Sequence, residues 1–148
     1  MNSQGLGGLD AGSMNSLRPA FGNVSQQVFL HEVDILNDYF RKANISPEQG
    51  IQLVAAAVKD GSTFKRSGNT LMAFKPLPPN AAQIYFFSVE PPPVFAQAAA
   101  SLLGPLKQSG IQVVYMDKVD PTIVKTLQGI GVSVQQSDRP QFKIMAAL

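Results

Sequence analysis

The chain has 148 residues, enough for one domain that removes roughly two thirds of its unfolded surface from water. Charged residues make up 15% of it, against about 25% in ordinary soluble domains, and the net charge is only +2. This scattered charge lacks the massed basic face of a nucleic-acid binder, and the absence of cysteine excludes disulfides, thiolate catalysis and cysteine-based zinc sites. A surface that is polar but weakly charged suits a chain that packs against other proteins.

The N-terminus, MNSQGLGGLDAGSMNSLRP, has neither a basic start nor an apolar core, so it does not read as a signal peptide. No apolar run approaches the length of a membrane span. These features predict a soluble protein made in a cytoplasm. Residues 1–27 are rich in Gly, Ser, Asn and Gln, with Asp10 and Arg18 their only charges. Alone, such a segment buries too little apolar surface to offset its ordering entropy. Leu6, Leu9, Met14, Leu17 and Phe21 punctuate it singly, the pattern of an extended arm laid on a partner subunit. A tail without function has the same composition.

From Val28 the period becomes helical, and Phe29, Val33, Leu36, Phe40 and Ala43 share a face from which Glu32, Asp38 and Arg41 are absent. A second helix follows, with Ser46 as cap, Pro47 at the first helical position, Gln49 completing a capping box and Gly61 closing the end. The period then drops to two. STFKRSGNTLMAFKP reads as a hairpin turning on Ser67-Gly68-Asn69, with Lys65 and Arg66 at its solvated tip, and after PLPPNA the run AQIYFFSVE reads as a third strand of an antiparallel meander. Val94 to Ser109 predicts an Ala-rich helix bent or broken at Gly104-Pro105. GIQVVYMDK is apolar enough to be a strand buried on both faces. Asp120 and Pro121 start a short helix ending near Gly129. GVSVQQS and QFKIMAAL then form two strands joined across Asp138-Arg139-Pro140.

The predicted fold is therefore α/β, a single domain over residues 28–148 with a mixed sheet: a meander, a parallel βαβ unit and a C-terminal hairpin, flanked by helices. This order resembles the GNAT N-acetyltransferase superfamily over roughly Phe21 to Leu148. A first strand at Phe21 to Gln27 would complete it, and Gly131-Val132 stands where that family commonly turns from its last long helix into Gly-Phe.

The resemblance implies where acetyl-CoA would bind, in a Gln/Arg-x-x-Gly-x-Gly/Ala loop whose backbone N–H groups hold the pyrophosphate. The matching segment here is EPPPVFAQAA. It has no glycine, Pro91, Pro92 and Pro93 each lack a donor, and Glu90 adds a negative charge. Where the family places its tyrosine general acid, four residues before Gly131, this chain has Leu127. Some short-tailed bacteriophages carry GNAT-like proteins in their virions, and the composition is similar to theirs. The resulting expectation is a non-catalytic structural or adaptor protein of a virion, without catalytic residues, cofactor or metal, and with other protein subunits as partners. The alternatives are an acyl-CoA-dependent N-acyltransferase with a remodelled cofactor loop and a genome-packaging accessory protein.

Other constellations are sparser. His31 with Asp34 and Asp38 could form a weak metal pair on one helix face, and the bland reading is a solvated surface. Tyr85, Phe86 and Phe87 could stack nucleic-acid bases, or could be core. Tyr115 and Asp117 end the buried strand, where α/β proteins often bind small ligands.

Overall fold

The computed structural model describes residues 26–148. The residues of the expected arm, Leu6, Leu9, Met14, Leu17 and Phe21, lie outside the described residues, as do most of the expected first strand and the side chain of Phe29. The elements run α1 (Gln26–Lys42), α2 (Pro47–Lys59), β1 (Thr63–Ser67), β2 (Thr70–Leu77), β3 (Ala81–Ser88), α3 (Pro92–Gln108), β4 (Val113–Met116), α4 (Pro121–Gly129), β5 (Ser133–Gln136) and β6 (Ile144–Ala147). Among the described residues the fold is α/β, with four helices and a six-stranded mixed sheet in the order β1-β2-β3-β4-β6-β5. Gln26 and Gln27 are already helical, so α1 starts two residues ahead of the change of period at Val28. Among the described residues no helix is long and apolar enough to cross a membrane.

The residues group into two compact units. The first comprises, among the described residues, those up to Ala73 together with Phe86–Val89. Its α1 buries Val33, Leu36 and Phe40 as the period predicts, but Glu32 is buried as well, at 3% exposure, and Ala43 is exposed. The reason for burying a carboxylate is its partner: Arg66 Nε lies 3.0 Å from Glu32 Oε1. Arg66 is exposed as expected but stands in β1, ahead of the turn, which is Gly68-Asn69. Helix α2 carries the expected capping box, Gln49 N–H donating to Ser46 Oγ and Ser46 N–H to Gln49 Oε1, both at 3.2 Å. Gly50 of α2 is buried where a methyl group would stand 2.4 Å from the Phe40 ring, so only glycine lets the two helices approach this closely. Phe87 is the hub of the aromatic core, edge-on to Tyr39 and Phe40 and stacked on Phe64 with centroids 5.9 Å apart.

The second unit comprises Phe74–Tyr85 and Glu90–Leu148. Strands β3 and β4 are parallel, pairing from Ala81↔Val113 to Gln83↔Tyr115, and Asn80 Nδ2 ties their starts by donating to Gln112 Oε1 at 2.8 Å. β6 then inserts antiparallel between β4 and β5. In β4, Val114, Tyr115 and Met116 are all buried, as expected of a strand covered on both faces. Helix α3 packs Phe95, Ala99, Leu102 and Leu103 inward and runs unbroken through Pro105. The expected break is absent because the carbonyl that Pro105 leaves without a donor belongs to Ser101, on the exposed side of the helix. Two short strands also correct the expected C-terminal hairpin. Residues 141–143 leave the strand path, since Phe142 N–H closes a turn on Arg139 O and Lys143 N–H donates to Met116 O of β4.

Candidate functional site

Two places collect the residues that the sequence singles out. The first is the N-terminus of α3. A helix start ordinarily offers four N–H groups without intrahelical partners, which is what makes it an anion site. Here the cap residue is Pro91, with no side-chain hydrogen bond, and Pro92 and Pro93 occupy the next two positions. Phe95 N–H is already spent on Pro91 O at 2.9 Å. Of the four, only Val94 keeps a backbone donor. Glu90 immediately precedes this turn, and Pro91 through Val94 are exposed.

The residues at the end of α4 serve to terminate the helix. Leu127, which stands where the resemblance would place a general acid, is wholly buried in the core. Gly131 has φ +89°, donates to Gln128 O, and lets Val132 N–H close onto Leu127 O at 2.9 Å. That is a Schellman closure, which accounts for the Gly131-Val132 pair by helix termination.

The second place is the end of β4. Tyr115 is 4% exposed, and its hydroxyl donates to Asp138 Oδ1 at 2.8 Å. Phe142 stacks on its ring at 5.2 Å and the Arg139 guanidinium covers it at 4.6 Å from the centroid. Ser137 Oγ braces the turn, accepting from Arg139 N–H and donating to Arg139 O. An open hollow of about 430 Å³ borders the cluster, lined by residues of the 136–143 connection with Arg139 and Lys143 as its cations. The hydrogen bond to Asp138, reinforced by burial, raises the pKa of the Tyr115 phenol against the opposing charge of Arg139. The phenol's proton is thereby committed to Asp138, which anchors the connection to the end of β4. Asp117, its expected companion, is exposed beyond the strand end. The partners that Tyr115 does have lie 23 and more residues away, where no local period marks them; an aromatic and two charges in one connection were their only trace.

The remaining candidates separate. Asp38 turns to Arg41, Oδ1 to Nη1 at 3.1 Å, and both are exposed. Asp34 has one buried carboxyl oxygen without a hydrogen-bond partner, and burial, with repulsion from Asp38, raises its pKa despite the nearby His31. Among the described residues no group of three or more His, Asp or Glu side chains is placed to hold a metal. Phe86 and Phe87 are buried, whereas Tyr85 is half-exposed with Lys118 Nζ 5.9 Å from its ring centroid. No family model, curated protein or solved structure matches this chain.

Proposed function

We propose that this chain is a non-catalytic structural or adaptor protein of a larger assembly, a virion component on a GNAT-like scaffold whose cofactor position has been closed. The strand order β1-β2-β3-β4-β6-β5, with the parallel β3–β4 pair followed by an antiparallel C-terminal hairpin, supports the scaffold. The observation that carries the functional reading is the α3 start, where three consecutive prolines leave Val94 as the one donor and Glu90 opposes an anion. A pyrophosphate loses there several charge-assisted bonds of about 1.5–3 kcal/mol each. The low charge, and an N-terminal segment studded with Leu6, Leu9, Met14, Leu17 and Phe21, suit attachment to protein partners.

Calorimetric titration with acetyl-CoA, run beside coenzyme A, tests this directly. The expected result is no saturable heat and no thermal stabilisation at millimolar ligand. Micromolar binding would overturn the reading and favour an acyltransferase with a remodelled loop.

A further inference from the structure

We infer that the β5 edge of the sheet is a self-pairing surface, on which a second copy of this chain adds its own β5 antiparallel across a two-fold axis. The inference rests on the register of β5 and β6 and is independent of the reading of α3. β5 is the last strand in the sheet order, and its register with β6 runs from Ser133↔Ala147 to Gln136↔Ile144. Beyond it, Ser137 N–H donates to Lys143 O at 3.1 Å, in the same register. Hydrogen-bonded positions alternate along an antiparallel ladder. Ser133, Gln135 and Ser137 therefore direct their backbone groups at β6, while Val134 and Gln136 direct theirs at the open edge.

Such an edge templates another strand unless it is blunted by charge, proline or cover. The opposite edge of the sheet, β1, is blunted: it carries Lys65 and Arg66. β5 reads Ser-Val-Gln-Gln, has no charge and no proline, and is exposed at Ser133, Gln135 and Gln136. Among the described residues no strand pairs with its outer side.

The outward positions also specify which strand fits. When Val134 of one copy faces Gln136 of the other, the two-fold generates the same pair again, and each pair contributes two backbone hydrogen bonds, four in all. Gln135 then faces its own counterpart in the non-hydrogen-bonded position, where side chains approach most closely. A carboxamide is both donor and acceptor, so two of them satisfy each other. Ser133 faces Ser137, and no charged residue falls within the paired stretch. This is the self-complementary arrangement that a two-fold interface requires.

The test is sedimentation or light scattering of the full chain over a concentration series, with Gln135→Lys and Gln135→Glu. Both substitutions are at an exposed position, so folding is retained. The expected result is a concentration-dependent dimer that either substitution alone weakens by about tenfold or more, and that an equal mixture of the two restores through an opposite-charge pair. A wild-type chain that stays monomeric throughout, a dimer indifferent to both charges, or a mixture that fails to restore association would each overturn the proposal.

Discussion

The Tyr115 hydroxyl reaches across 23 residues of sequence to donate a 2.8 Å hydrogen bond to Asp138 Oδ1. One buried strand end thereby fixes the connection that leads into the last strand. Tyr115→Phe keeps the ring stack on Phe142 and removes only this bond, at an expected cost of about 1–2 kcal/mol in urea unfolding. A cost near zero would mean that the stack alone holds the connection.

The same bond has a pH signature. Because the folded phenol has a raised pKa, its stabilising contribution is complete below the titration range of an unfolded tyrosine and is lost as the pH rises through the folded value. Ultraviolet titration should find a tyrosine ionising late in the wild type, and Asp138→Asn should bring it down. An unchanged titration in that variant would remove Asp138 as the cause.

Glu32 and Arg66 make the other long-range pair. Arg66→Ala strands a carboxylate that is 3% exposed, and the expected loss is about 2 kcal/mol, below the range of about 3–5 for wholly buried pairs because Arg66 itself is one-third exposed. Burial outweighs the attraction of Arg66 and raises the Glu32 pKa. A raised carboxyl pKa contributes stability that is present below the unfolded value and lost as pH rises through the folded one. Glu32→Gln should therefore flatten the loss of stability between the ordinary carboxylate range and neutrality. Denaturant midpoints across that interval measure it, and an unaltered slope would exclude Glu32 as its source.

Gly50→Ala reverses the usual helix preference. In an exposed helix the change stabilises by about 0.5–1 kcal/mol. Here the added methyl meets the Phe40 ring at 2.4 Å, and the forced displacement should cost about 1–3 kcal/mol. An increase in the urea midpoint would show that the two helices can separate freely.

Asp120→Ala tests the start of α4. Its Oδ1 accepts from Thr122 N–H at 2.9 Å and Ile123 N–H at 3.4 Å, and removing it should cost about 1 kcal/mol in thermal or urea unfolding. Asp120→Asn should recover most of that.

What was legible in the sequence was what neighbouring residues decide among themselves. Ser46 with Gln49 and Asp120 with Pro121 announced two helix starts, because a cap is satisfied by the N–H groups two or three residues on. The missing donors at Pro91, Pro92 and Pro93 were equally plain, since proline lacks its N–H in any fold. Tertiary structure alone decided that Glu32 is buried, for its place on the helix suggested solvent until Arg66 arrived from strand β1. It also decided that Pro105 leaves α3 unbroken, that Tyr115 is anchored to Asp138, and that β6 lies between β4 and β5, leaving Val134 and Gln136 turned to the open edge. Periodicity reports which face of an element is apolar; it carries no information on which distant residue will meet that face, because that partner is set by how elements far apart in the chain pack together.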